Sequence, residues 1–300
     1  MAEDALKGPR IALLSAAQAL LDGYLKGDDI DAQQAPLTRE FAKRGVGFEK
    51  VSWDSPEYDP KAYLAVMPLF LWDYADNPTG TTACLERTEA ETVLFNPFAL
   101  IRWNMDKRYL RDVTEAGLPT LKTLWLDTPT PDAVSRAFDA LNADDIVVKR
   151  VVGAGARGQY RLRRGDAAPN LDRAVPHMVQ AFEPAIVEEG EYSLLVFNGV
   201  LSHALIKRPA AGDYRIQPQY GGRMEAVRPT DAMHALARQA FDTIEARGLP
   251  RPVYARVDLL RGQDGALRVI ELELFEPYLY PHQGPGFETL FVDAVMDRLA

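Results

Sequence analysis

The stretch from Arg256 to Pro277 places three of its carboxylates, Asp258, Glu271 and Glu273, at a spacing that could hold a metal ion. Asp264-Gly265, flanked by β-branched and aliphatic runs, signals a β-hairpin. With a two-residue loop there, Asp258 faces Glu271 and Arg256 faces Glu273. Period-two alternation keeps both glutamates on that face and sends Val257, Leu259, Ile270, Leu272 and Leu274 to the other. Cross-strand neighbours lie roughly 5 Å apart. Two bare carboxylates at ~4 Å repel by about 4 kcal/mol at an effective dielectric near 20, so one must take a proton or both must share a cation. Hard oxygen donors of this kind suit Mg²⁺. The plainer alternative is a solvated strand face with scattered acids.

The cations point to phosphate. Lys149 lies inside the apolar run Ile146 to Val152, where an ammonium needs an anionic partner. Immediately after it, Gly153-Ala154-Gly155-Ala156-Arg157-Gly158 satisfies G-x-G-x-x-G. A dinucleotide fold needs a helix at the third glycine, whereas Gln159 to Arg164 has strand character. The element therefore reads as strand, loop, strand. Its backbone N–H groups can still cradle phosphates, with Arg157 adding charge. Lys107 could supply another cation, although taken singly it reads as an ordinary surface lysine. No P-loop pattern occurs.

These residues need elements to position them. Arg10 to Leu14, Val46 to Trp53, Tyr63 to Leu71 and Val93 to Phe95 read as strands, with helices near Pro36 to Arg44 and Thr82 to Ala90, a small α/β layer. Ligands gather beyond the carboxyl ends of parallel strands, so Ser15 and the cluster Trp72, Asp73 and Tyr74 are substrate-pocket candidates, or else core aromatics. Beyond Asn96-Pro97, Asn104 is expected to cap a helix from Met105 to Ala116, with Lys107 in its first turn. Strands at Thr120 to Leu126, Ile146 to Val152, Tyr160 to Arg163 and Met178 to Phe182 follow, with helices at Pro131 to Leu141 and Leu171 to Pro176. Glu183-Pro184 reads as a hinge. Asn198-Gly199 signals a second hairpin between Tyr192 to Phe197 and Val200 to Lys207, and helices at Thr230 to Arg247 and Gly286 to Leu299 enclose the carboxylate hairpin. The expected division is 1–100, 101–183 and 184–300.

At 300 residues, 47% hydrophobic and 26% charged, the chain is globular material for two or three domains. A net charge of −9 argues against nucleic acid as partner. One cysteine excludes an internal disulfide, and the four histidines are too dispersed for zinc. With neither a long apolar run nor a signal-peptide pattern in the sequence, a cytoplasmic protein without membrane contact is expected.

The ordered set of Asp106-Lys107, Val148-Lys149, the glycine-rich loop, Gln180 to Ser193, Lys207 to Gly222, Asp258 and Glu271-Leu272-Glu273 resembles the ATP-grasp superfamily of carboxylate ligases from about Asn96 to Pro277. The resemblance implies a Rossmann-like first domain and two α+β subdomains that clasp ATP. It makes Lys107, Lys149, Gly153, Gly155, Arg157 and Gly158 phosphate contacts, Gln180, Ala181 and Phe182 the adenine hinge, and Glu191 the ribose acceptor. Asp258, Glu271 and Glu273 become Mg²⁺ ligands. Arg215, with the N–H groups of Gly221 and Gly222, would steady the oxyanion, while Lys207 and Arg208 would grip the departing phosphate. Many members carry E-x-N where this chain has Glu271-Leu272-Glu273, which adds a negative charge. The glutathione-synthetase-like branch carries Asn where Gln217 stands. Asn96 to Leu110, the run Ser202 to Gly222 and Trp72-Asp73-Tyr74 are similar to the D-cycloserine-forming cyclo-ligase branch. The implied partner is a small carboxylic acid that carries or meets a nitrogen nucleophile, handled by a monomer or homodimer. Joining two amino acids, binding ATP without catalysis, and a dehydrogenase are the competing readings.

Overall fold

The computed structural model describes residues 8–16, 20 and 27–300. It is a mixed α/β structure of three sheets. The first is parallel, in the order β2 (Gly47–Ser52), β1 (Arg10–Ser15), β3 (Ala65–Phe70) and β4 (Val93–Leu94). Strand β3 is buried along its whole length, as expected of a parallel strand covered on both faces. The helices Gly27–Lys43 and Pro78–Glu91 both run longer than their sequence signals predict. Asn77 caps the second by accepting from the N–H of Gly80 at 3.0 Å, and Pro78 fills its first position.

The second sheet is antiparallel, in the order β5 (Thr123–Leu126), β8 (His177–Ala181), β6 (Asp145–Arg150) and β7 (Tyr160–Arg163). Strands β6 and β7 are antiparallel neighbours joined by the glycine-rich loop, so the G-x-G-x-x-G run opens no helix and builds no dinucleotide fold. The third sheet orders β11 (Arg223–Val227), β10 (Val200–Arg208), β9 (Glu191–Phe197), β12 (Tyr254–Arg261) and β13 (Leu267–Glu273), again antiparallel. One face of this sheet packs Leu194, Val196, Ala255, Val257 and Leu272 against Met233, Ala237, Phe241 and Ile244 of the helix Asp231–Ala246. The other face is divided along its length. Leu195, Phe197 and Tyr254 bury against the closing helix Phe287–Leu299 and the first sheet, whereas Glu191, Ser193, Arg256 and Asp258 carry polar groups at the opposite end.

Several local expectations fail for identifiable reasons. The predicted helix Met105 to Ala116 is two helices, Phe98–Met105 and Tyr109–Glu115. Asn104 does not cap it. Its amide bonds both ways to β13 and beyond, donating to Leu272 O at 2.8 Å and accepting from Leu274 N at 3.0 Å. Lys107 lies in the break between the helices, with its backbone N–H donated to Val151 O at 3.0 Å. Leu171 to Pro176 forms turns rather than a helix, and β11 is a strand that the sequence reading did not expect.

The carboxylate hairpin also differs in detail. Gly262 N donates to Ala266 O and Gly265 N to Gly262 O, both at 2.9 Å, closing a three-residue loop with Gly265 left-handed at φ 81°. A bulge at Ile270 then restores the register, so that Asp258 still pairs Glu271 and Arg256 still pairs Glu273. The bulge turns Ile270 away from its expected apolar face, to cluster with Leu121 and Leu260. Asn198-Gly199 turns as predicted, with φ 47° and 83°.

Candidate active site

Strands β12 and β13 bring oxygens of Asp258, Glu271 and Glu273 within 4.8 Å of one another. Each acid meets a cation. Arg256 Nε donates to Asp258 Oδ1 at 2.9 Å, and its Nη2 also reaches Glu273. Lys107 Nζ lies 2.8 Å from Glu271 Oε1 and donates to Gly153 O at 2.7 Å. Lys207, opposite Glu191 across the β9–β10 pair, is buried against Glu191 and lies 3.4 Å from Asp258 Oδ1. Ser193 Oγ donates to Asp258 as well.

Burial raises the energy of every charge here, and the partners decide which acids stay ionised. Burial opposes ionisation of Asp258, but Arg256 and Lys207 hold its carboxyl at about 2. At Glu271 burial is likewise outweighed, by Lys107, and the carboxyl stays below its ordinary value. Burial prevails at Glu273, which is pushed up to about 7 despite Arg256. Burial also lowers Lys149, with Glu271 countering. The donor set fits a divalent cation: three convergent carboxylates, one of them proton-hungry, suit a hard ion better than they suit one another.

Above the acids a single cavity is lined by Lys107, Lys149, Gly153 to Arg157, Gln180, Ala181, Phe182, Glu191, Lys207 and Arg215, together with Arg256, Asp258, Glu271 and Glu273. Gly155, Ala156 and Gly158 are all left-handed, at φ 62°, 57° and 69°. Arg157 reaches Asp76 at 2.9 Å across the mouth. Gln180 Nε2 is fixed by Thr123 Oγ1 at 2.9 Å, and Phe182 stacks under Arg161, whose guanidinium carbon is 3.4 Å from the ring centre. Arg215 pairs with Asp213 at 2.7 Å and lies 3.7 Å over the Tyr220 ring.

Five expected residues fall outside this arrangement. Arg208 follows Lys207 on β10 and therefore faces the other way, pairing with exposed Glu225 at 2.7 Å. The N–H groups of Gly221 and Gly222 are donated inside their own turn, to Pro218 O and Gln217 O, so neither is available to an oxyanion. Ser15 is buried with its hydroxyl 3.4 Å from Val51 O, and Asp73 accepts from Trp53 Nε1 at 2.9 Å. Neither lines the cavity. Trp72 does line the cavity, and Tyr74 OH donates to Gly153 O at 3.2 Å. Sequence reasoning left Arg256 without a role and missed Glu276, Tyr278 and Tyr280, which also line the cavity. An acid set in the aromatic run Phe275 to Tyr280 was the available signal.

The family model for the N-terminal domain of D-cycloserine synthetase DcsG matches residues 11–96. Cycloserine biosynthesis protein DcsG of Streptomyces lavendulae is 30% identical over 285 residues, covering 90% of this chain and 95% of that protein. The chain belongs to the DcsG family of ATP-grasp ligases. The crystal structure of D-cycloserine synthetase DcsG superposes with a TM-score of 0.85 at 28% identity, covering 97% of this chain and 100% of that one. D-alanyl-alanine synthetase A from Vibrio cholerae shares the fold, with a TM-score of 0.69 at 17% identity over 97% of this chain and 98% of its own. So does the ATP-grasp ligase PsnB, solved with a phosphomimetic precursor variant, Mg and ADP, with a TM-score of 0.65 at 19% identity over 97% and 98%. A glutathione synthetase of Citrobacter rodentium is 31% identical over 63% of this chain and 61% of its own length. The chain is an ATP-dependent ligase that forms C–N bonds. None of its described helices is long and apolar enough to cross a membrane.

Proposed function

We propose that this ligase activates a small carboxylic acid as an acyl phosphate, with ADP released, and closes a ring onto a nitrogen of the same molecule, as in conversion of O-ureido-D-serine to D-cycloserine. The observation that carries this reading is the acid trio facing the glycine loop with Lys107 and Lys149 in the same cavity. The similarity to DcsG over nearly the whole chain supports the substrate class. In this reading residues 1–100 are a substrate domain, and 101–183 and 184–300 clasp the nucleotide in the cytoplasm.

Lys107, Lys149 and the N–H groups from Gly153 to Gly158 bind the phosphates of ATP, with Gln180, Ala181 and Phe182 against adenine and Glu191 at the ribose edge. Asp258, Glu271 and Glu273 would hold Mg²⁺. When bound, the ion neutralises phosphate oxygens during transfer, a reaction governed mostly by positioning and electrostatics. Lys207 and Arg256 keep the acids ionised and aligned. A substrate carboxylate oxygen attacks the γ-phosphorus as its bond to ADP breaks. The nitrogen then adds to the carbonyl carbon and gives up its proton, and phosphate leaves with the electrons of the C–O bond; with O-ureidoserine the ring nitrogen still carries the carbamoyl group, which water releases as carbon dioxide and ammonia to give cycloserine. Arg215 stabilises the intervening oxyanion, a contribution of typically ~3 kcal/mol per donor. The loop around Gly155 excludes water, which would otherwise hydrolyse the acyl phosphate.

Glutathione synthetase and D-alanyl-alanine synthetase among the relatives favour a second reading, the joining of two molecules. A screen of Mg²⁺-dependent ADP release with O-ureidoserine of both hands and with pairs of amino acids tests both. A product with the mass of the acid less one water, or less carbon dioxide and ammonia, by mass spectrometry, supports ring closure. A summed mass rejects it in favour of joining, and ADP release with none of these acids rejects both.

A further inference from the structure

Glu276 is an acid for which the mechanism above has no use. It follows β13 by three residues and is only 7% exposed, yet it lines the cavity, and its Oε2 has no hydrogen-bond partner. It is not one of the three acids that converge on the metal position. The nearby cations are committed elsewhere: Lys107 to Glu271 and Arg256 to Asp258 and Glu273. Burial, with Glu273 adding to it, drives the Glu276 carboxyl well above its ordinary value, so it seeks either a proton or a cation from outside the protein.

The walls around it say which cation. Trp72 and Tyr278 line the same cavity, with Tyr278 edge to face at 5.0 Å on Tyr280, whose own ring lies by Lys207 and Arg256. The backbone is pinned from the first sheet, since Trp72 Nε1 donates to Glu276 O at 2.9 Å, and Phe275 packs edge-on against Tyr74 at 5.0 Å. A buried carboxylate with an unpartnered oxygen in a cavity that also holds aromatic rings suits an organic ammonium, which gains from both, better than a divalent ion that needs six oxygens. It equally repels a carboxylate, so the group to be activated must point toward Lys107 and Arg215 instead.

We propose that Glu276, in the same cavity as Trp72 and Tyr278, receives the primary ammonium of the substrate, which restricts the enzyme to acids that carry a free amino group. The inference rests on the ligase reading but not on ring closure. The N-terminal unit then takes part in selection through Trp72, while the acid trio serves the nucleotide.

The test is calorimetric binding to the full chain with Mg²⁺ and a non-hydrolysable ATP analogue. O-ureido-D-serine, D-serine and D-alanine are titrated beside their deamino counterparts, 3-(ureidooxy)propanoic, 3-hydroxypropanoic and propanoic acid. Wild type is expected to bind at least one amino acid about tenfold or more tighter than its counterpart. Glu276→Gln should remove that preference while leaving the affinity for the ATP analogue within about twofold. Tyr278→Leu, a milder change, should weaken the amino acid alone by roughly threefold or more. A preference that survives in Glu276→Gln, equal binding of both acids by wild type, or no binding of any of the three amino acids overturns the proposal. Ammonium-dependent binding without a ring product would sink the cyclisation reading and leave this one standing.

Discussion

Lys207 lies between Glu191 and Asp258, while Arg208, its neighbour in sequence, reaches Glu225 on the far face of β10. Removing one partner of a buried ion pair costs about 3–5 kcal/mol, whereas an exposed pair contributes about 0–1 kcal/mol. Lys207→Met should therefore lower the thermal midpoint and abolish ADP release. Arg208→Ala should leave both turnover and midpoint almost unchanged. Glu271→Gln retains the shape of the trio but removes the charge that balances Lys107, and is expected to eliminate Mg²⁺-dependent ADP release; full activity would remove Glu271 from the ligand set. Glu273 gives a pH signature. Its folded value of about 7 exceeds the ordinary 4.5, so the folded state holds a proton that the unfolded chain has already released. That stabilisation is complete below 4.5 and is lost as pH rises toward 7. In the presence of a chelator, the thermal midpoint should fall between pH 5 and 8, and should fall less in Glu273→Gln.

At the scale of elements, the loop between β6 and β7 and the hairpin of β12 and β13 do different work. Gly155 is left-handed at φ 62°, a region that β-branched residues avoid. Gly155→Val should lower turnover about tenfold while changing nucleotide affinity much less, because the strain falls on closure of the loop rather than on Lys149. Equal turnover in the variant would count against a lid. The hairpin was legible in its pairing and illegible in its shape. A two-residue loop without a bulge and a three-residue loop with one give the same partners for Asp258 and Glu271, since the two extra residues compensate. The partners of Leu259 to Arg261 and the sides taken by Val269 and Ile270 distinguish them. The predicted helix from Met105 failed for another reason: the Asn104 amide finds partners on Leu272 and Leu274, which are distant in sequence.

At the scale of the molecule, Asn96 joins the first sheet to the third. It donates to Tyr254 O at 2.9 Å and to Leu274 O, and accepts from Val253 N at 2.6 Å, with no exposure. Asn96→Ala leaves buried backbone groups unpaired at about 1–3 kcal/mol each. The thermal midpoint should drop by roughly 5 °C or more. Nucleotide and Mg²⁺ bound between the second and third sheets should act oppositely, adding about 2.7 kcal/mol at a hundredfold excess over Kd. A chelator should remove most of that gain in a thermal melt.

The order of chemical groups along the chain was readable without coordinates, because strand alternation and turn chemistry are local. Asp258, Glu271 and Glu273 on one face, a glycine loop joining two strands, and Lys149 set in an apolar run all followed from spacing, and the family resemblance rested on that order. Tertiary structure alone decided which of these groups meet. It committed Lys207 to Glu191, spent the N–H groups of Gly221 and Gly222 inside their turn, and tied Ser15 to Val51 and Asp73 to Trp53. It also placed Glu276 in one cavity with aromatic rings from two ends of the chain. The partner of a buried charge is set by distance in space, and no spacing in sequence encodes that distance across sheets.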